Sequence, residues 1–281
     1  MVVPPAVIPD VPSADEHLSV ASLAARLDTS WLGRRRHLHV PACTSTNDIA
    51  AAEARAGAAE GLLVTADEQT AGRGRLGRTW HSPPGTNLML SLLLRPKRPA
   101  AEIPTLTLLA GGALSAAIRA LGFETRVKWP NDLLLRAGGR EKKVAGILTE
   151  ASSEGGRIGH VVVGIGLNVN TEGFPDELSS KATSLRIARG AALSRVEVLA
   201  RMLGALEAAF DDFAARGPAA AVEWWEAHAE LGRAGRVQMQ AGDRTIEGLV
   251  TGLGVDGALE VRDDAGTLHR IVSGEVLSVE C

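Results

Sequence analysis

Tyrosine is absent from this 281-residue chain, and the aromatic share is only 3%. Stacking platforms for single-stranded nucleic acid are therefore scarce. The net charge of −3 lacks the basic excess of a dedicated nucleic-acid binder. Cysteine is nearly missing too: Cys43 and Cys281 stand far apart, and neither has metal-ligand spacing around it. That argues against a disulfide framework and for a reducing compartment, so a cytoplasmic location is expected. No apolar run has transmembrane length, and Met1–His17 carries prolines and acids where a signal peptide needs basic and apolar stretches. The expectation is a soluble chain without a membrane partner. Lysine is also rare: of 30 basic residues only Lys97, Lys128, Lys142, Lys143 and Lys181 are lysines. A chain so biased towards arginine keeps lysine where a compact, mobile ammonium is needed.

What the chain does have is concentrated between Gln69 and Asn87. Arg73, Arg75 and Arg78 alternate there with Gly72, Gly74 and Gly77, in a run too rich in glycine and proline for a helix. Glycine permits close backbone approach to a ligand, and arginine supplies forked donors for carboxylate or phosphate. The stretch reads as a loop that closes over an anion. It also fits the Gly-x-Gly-x-x-Gly pattern of dinucleotide sites, but Pro83-Pro84-Gly85 stands where that pattern needs a helix, so the match is set aside.

Around this loop the chain reads as one mixed domain and one small all-β domain. The expected division is a tail and short helix over 1–35, a catalytic domain over 36–231, and a barrel over 232–281. Leu62–Ala66 and Leu88–Leu94 read as strands on either side of the loop, and Thr44-Ser45-Thr46-Asn47 as the cap of an alanine-rich helix. Apolar runs from Arg126 to Val169 suggest an antiparallel meander. Leu199, Met202, Leu203, Leu206, Phe210 and Phe213 recur at helical spacing. Beyond Gly232 come several short strand-like runs punctuated by turns.

Four further motifs follow in a fixed order. Ser45-Thr46-Asn47 puts hydroxyls and an amide at a helix start. Lys128-Trp129-Pro130-Asn131-Asp132 joins a cation, an aromatic face, a turn and a carboxylate. Lys143-Val144-Ala145-Gly146-Ile147-Leu148 opens a strand with a lysine. Gly164-Ile165-Gly166-Leu167-Asn168 is a strand that allows close approach. Singly, each is as well explained by a cap, a hairpin, a strand end or tight packing. Together with the arginine loop, and with Gly254–Leu259 and Ser273-Gly274-Glu275 near the end, they resemble the biotin protein ligases over roughly Arg36 to Glu280.

That resemblance implies an α+β fold: a mixed sheet with helices on one side, like class II aminoacyl-tRNA synthetases, followed by an SH3-like barrel. It implies activation of biotin by MgATP as biotinyl-5′-AMP, then transfer to a lysine of a biotin carboxyl carrier domain of a biotin-dependent carboxylase. Arg73 and Lys143 become the catalytic cations. Biotin contacts fall to Ser45, Thr46, Asn47, Gln69, Gly72, Arg73, Gly74, Arg75, Lys143 and Gly164. ATP contacts fall to Arg75, Arg78, Trp129, Asn131, Asp132 and Asn168, with Asp132 the candidate magnesium ligand and Lys128 open between phosphate and structural roles. Trp80 would pack the loop over the ligand ring.

The resemblance allows a homodimer. Leu76 stands where some relatives have a further arginine, so the loop is less basic here. One helical segment ahead of the first motif is too little for a recognition helix and its support, so no DNA partner is expected. Two alternatives compete: a lipoate or octanoate ligase of the same fold, which gives no reason for Ser45-Thr46-Asn47, and a non-catalytic biotin sensor, which gives none for Lys143 and the loop arginines.

Overall fold

All seven residues of Leu88–Leu94 are buried, and a strand apolar on both faces must lie in the middle of a covered sheet. A computed structural model, describing residues 17–154, 157–229 and 235–280, places it there. The strands are β1 (Arg36–Cys43), β2 (Leu62–Gln69), β3 (Leu88–Leu94), β4 (Thr125–Lys128), β5 (Asp132–Ala137), β6 (Arg140–Glu154) and β7 (Arg157–Leu167). They form one sheet in the order β1-β2-β3-β7-β6-β5-β4. Only the β1–β2 pair is parallel, so β4 to β7 are the expected meander.

One face of this sheet carries the main core, built with α3 (Thr105–Ala120), α6 (Arg195–Arg216) and α7 (Pro218–Ala229). The other face carries α2 (Thr46–Arg55), whose Ala50 and Ala54 pack on Leu62, Val64, Leu93 and Val162. Helices therefore lie on both faces, which corrects the expectation of one. Alternation along β2, β3 and β7 explains it, because neighbouring residues such as Leu62 and Leu63 serve opposite cores. By length and composition Ala100–Ala120 could cross a membrane, so the reading that no apolar run has such a length needs correction. Since 72% of that stretch is buried, its apolarity belongs to a core helix.

The tail expected over 1–35 is described only from residue 17. From there it packs into the catalytic core through Leu18, Leu23, Leu27 and Leu32, with α1 (Val20–Ala24) as its helix. Glu207 on α6 accepts the backbone N–H groups of Ser30, Trp31 and Leu32 at 2.7–2.8 Å. Physically this segment belongs with the domain it was expected to precede. Cys281 and the boundary near 231 lie outside the described residues.

The last strands, β8 (Arg236–Ala241), β9 (Arg244–Leu253), β10 (Leu259–Arg262), β11 (Leu268–Ile271) and β12 (Glu275–Glu280), form a separate antiparallel sheet in the order β11-β10-β9-β8-β12. Its inward side chains Val237, Met239, Val250, Leu259, Val261 and Ile271 join the main core. Trp129 Nε1 donates to the Gly257 carbonyl at 3.2 Å across that junction. Gly257 has φ +78°, and a Cβ there would sit 2.7 Å from Leu108, so the contact requires glycine.

Candidate active site

The sheet face that α2 covers only in part is paved with small residues. Ser91 on β3 lies opposite Gly164 on β7, and Gly166 lies opposite Gly146 on β6. A Cβ on Gly164 would collide with the Asn47 amide, and one on Gly166 would come within 2.5 Å of the Trp80 indole. The glycines thus leave a groove, with the start of α2 at one end and Trp80 over the other.

At the α2 end, Ser45, Thr46 and Asn47 are only 5%, 3% and 4% exposed and belong to one hydrogen-bond chain. Ser45 caps the helix, its hydroxyl accepting the Asn47 N–H at 3.3 Å. Gln69 Oε1 accepts both the Thr46 N–H at 2.7 Å and the Thr46 hydroxyl at 3.1 Å. Ser91, fully buried, donates to Thr46 Oγ1 at 2.8 Å and Asn47 Oδ1 at 2.6 Å. Asn47 Nδ2 donates to Glu150 Oε2 at 2.6 Å and to the Leu148 carbonyl at 3.4 Å. These partners fix both amide orientations, since an N–H must meet an oxygen and a carboxylate must meet a donor. Among the described residues the chain leaves the Ser45 proton and the Gln69 NH2 free to donate. One lone pair each on Thr46 Oγ1 and Asn47 Oδ1 remains free to accept.

Lys143, Arg75 and Arg78 gather towards the other end, whereas Arg73 reaches back to the first turn of α2. Lys143 Nζ lies 2.6 Å from Asp132 Oδ1 and 5.4 Å from the Trp80 ring centroid. Lys142, next in sequence, instead donates to the Ser179 carbonyl at 2.6 Å. The pairing of β5 with β6 skips Val144, and this bulge turns Lys143 towards Gly146 and the groove. The loop arginines fan outwards. Arg73 forms a two-pronged pair with Asp48 at 3.0 and 2.6 Å, with Glu150 at 3.8 Å. Arg75 donates to Asn131 Oδ1 at 3.3 Å and to the Gly274 carbonyl at 3.5 Å, and Arg78 pairs with Glu275. Hydrogen bonds from these arginines hold the Asp48 and Glu275 carboxyls below their usual range. Burial pulls the Lys128 ammonium below its ordinary value.

The loop is folded onto itself: Arg73 and Thr79 form a bridge, and the Trp80 N–H donates to the Gly72 carbonyl at 2.9 Å. A Cβ on Gly72 would lie 3.1 Å from the Trp80 carbonyl, whereas Gly74, whose N–H reaches the Arg78 carbonyl at 2.7 Å, has more room.

Most residues expected in the site do converge on this groove. Trp129 does not: its indole is 2% exposed and engaged with Gly257, so it joins the two domains and shows no face to a nucleotide. Asn168 is buried as well; its Nδ2 donates to the Thr183 carbonyl at 3.1 Å, while its Oδ1 has no partner among the described residues. Cys43 is half-buried, and burial raises its thiol pKa, which does not suit a nucleophile. Sequence reasoning missed Asp48, Ser91, Glu150 and Glu275. Asp48 was adjacent to a motif and Glu275 lay inside the Ser273-Gly274-Glu275 motif without a role; Ser91 and Glu150 become visible only through contacts distant in sequence.

Two family models match this chain. Residues 40–168 match the biotin/lipoate A/B protein ligase family, and residues 235–277 match the biotin protein ligase C terminal domain. The bifunctional ligase/repressor BirA of Bacillus subtilis is 37% identical over 262 residues, covering 92% of this chain and 78% of that protein. The biotin--[acetyl-CoA-carboxylase] ligase of Mycobacterium tuberculosis is 34% identical, covering 87% and 86% respectively. A biotin protein ligase from Aquifex aeolicus, solved in complex with biotin and ATP, superposes with a TM-score of 0.72 at 29% identity, over 88% of this chain and 99% of that one. The chain belongs to the biotin protein ligase family.

Proposed function

We propose that this chain activates biotin with ATP as biotinyl-5′-AMP and passes the biotinyl group to a lysine of a biotin carboxyl carrier domain. The observation that carries this reading is the polarity of the buried end of the groove. A cyclic urea offers one carbonyl acceptor and two N–H donors. The valences left at Ser45, Thr46, Asn47 and Gln69 are the complement of that pattern. A dithiolane ring would leave these buried groups unpaired, a costly mismatch that favours biotin over lipoate.

In the first step an oxygen of the biotin carboxylate attacks the α-phosphorus, and the bond to the β-phosphate oxygen breaks to release pyrophosphate. Two anions must meet. Unit charges 4 Å apart interact by about 4 kcal/mol at an effective dielectric near 20, so fixed cations are required. Lys143 and Arg73 are the proposed catalytic cations, with Arg75, Arg78 and Asn131 on the nucleotide side. Trp80 and the loop keep water from the anhydride. In the second step the carrier amine, having lost a proton, attacks the acyl carbon and AMP leaves. Magnesium enters with the nucleotide as part of the substrate. Asp132 is the carboxylate proposed to meet that ion or its waters, the phosphates supplying the other oxygens. A cytoplasmic location is part of this proposal and is supported by the low cysteine content of the sequence.

The test is transfer of labelled biotin to a carrier domain, with lipoate run in parallel and ATP omitted as control. ATP-dependent labelling by biotin alone is expected. Preferential labelling by lipoate, or pyrophosphate release independent of biotin, would overturn the reading.

A further inference from the structure

We infer that Ser91 is a positioning residue that sets the specificity of the groove. It is fully buried behind the start of α2 and acts through Thr46 and Asn47. Its hydroxyl has a single proton, shared between Thr46 Oγ1 and Asn47 Oδ1. The Thr46 proton is already directed at Gln69, and Asn47 Oδ1 carries none, so the Ser91 proton holds the two oxygens together. This locks them as acceptors and orients their remaining lone pairs into the groove. Ser91 is the polar residue within a strand that otherwise reads Leu-Met-Leu-x-Leu-Leu-Leu. It faces Gly164 across the β3–β7 pair, and the two small residues make the space that the Asn47 amide fills. Neither a leucine nor an alanine at 91 could perform this task, the first for bulk and the second for want of a proton.

The inference rests on the ureido reading above and deepens it: a fully buried residue behind Thr46 and Asn47 sets which ligand donor they accept. Ser91→Ala is compared with Ser115→Ala, which removes another fully buried hydroxyl, one bonded to Thr125 at 2.9 Å and remote from the groove. Both variants lose a buried hydrogen bond and should lower the melting temperature by similar amounts. Only Ser91→Ala should raise the biotin KM, by roughly tenfold, with the ATP KM and kcat unchanged. The preference for biotin over an analogue methylated on one ureido nitrogen should fall by a similar factor, and Ser91→Cys should be intermediate. Pyrophosphate exchange measures the kinetic constants and the preference, and thermal denaturation measures the melting temperatures. If Ser91→Ala and Ser115→Ala change biotin KM equally, or if the preference is untouched, the inference fails while the ligase reading stands. If the unmodified chain shows no biotin-dependent exchange, the ligase reading itself fails.

Discussion

The two ends of the groove are built on opposite principles. At the α2 end Ser45, Thr46, Asn47 and Ser91 are neutral, nearly inaccessible and bonded to one another in a defined direction, with the Glu150 carboxylate as an outer acceptor. At the loop end they are charged, and several are accessible: the Lys143 side chain is 34% exposed and that of Arg78 is 62%, while Arg73, 39% exposed, reaches back to Asp48 in the first turn of α2. A buried neutral network gains strength from low dielectric and penalises any ligand that leaves a member unpaired. Exposed cations discriminate little, since salt and water screen them, but they can exchange partners when an anion arrives. Each of Arg73, Arg78 and Lys143 has a carboxylate partner here, whereas Arg75 is bonded to neutral acceptors, so most of these cations are paired before any substrate enters. Selection is assigned to one end and charge stabilisation to the other.

The sharpest way to break this division is at Lys143. Its stem starts from a buried strand, and the Val144 bulge aims its ammonium at the groove. Lys143→Ala should cut adenylate formation by on the order of 10²–10³, as loss of a preorganised charge does. Lys142→Ala should stay within a few-fold, because that side chain caps a carbonyl elsewhere. Pyrophosphate release at saturating biotin and ATP decides the matter, and a crippled Lys142→Ala would show that the bulge does not aim Lys143 as described.

At the buried end the corresponding change is Gly164→Ala. The added methyl would strike the Asn47 amide, which is held from three sides and cannot shift freely. Biotin KM should rise by roughly 10–100-fold, the cost of misplacing one or two hydrogen bonds, while ATP KM changes little. Titration of each substrate separately tests this. Equal rises in both constants would mean that the two ends are not independent.

How far the sequence reveals this arrangement depends on the range of the interactions. Local signals were readable: β3 spans Leu88–Leu94 as its apolar run suggested, and Ser45 caps α2 as its side chain predisposes it to do. The arginine loop was readable because glycine and arginine alternate within a few residues. Ser91 was not, since a serine among leucines looks like a tolerated small residue until Asn47, 44 positions away, is brought against it. Glu275 lies 197 positions from Arg78, and no local pattern pairs a terminal-domain acid with a loop arginine. Trp129 shows the reverse failure. Its motif suggested a ligand contact, whereas packing between two domains buried it.

The smallest expected effect lies at the exposed end and sharpens the comparison. Arg78 Nη1 reaches Glu275 Oε1 at 2.9 Å and ties the loop to the second domain across solvent-accessible surface. Exposed pairs contribute on the order of 0–1 kcal/mol, so Glu275→Gln should leave the melting temperature nearly unchanged. It should still release the loop: hydrogen exchange over residues 72–80 should quicken, and ATP KM should change by no more than a few-fold. The pH dependence has a definite sign. Arg78 holds the Glu275 carboxyl below its ordinary 4.5, so the clamp is intact above pH 4.5 and is lost as pH falls through the depressed value. After correction for intrinsic exchange, loop protection in the unmodified chain should therefore be flat from neutrality to about pH 4.5 and decline below it. Glu275→Gln should lose the part of that decline that Arg78 contributes and keep the part due to the Arg73–Asp48 pair, whose carboxyl is held low in the same way. If the variant instead unfolds the second domain or abolishes adenylate formation, the exposed end is as rigidly determined as the buried one, and the division between selection and charge stabilisation collapses.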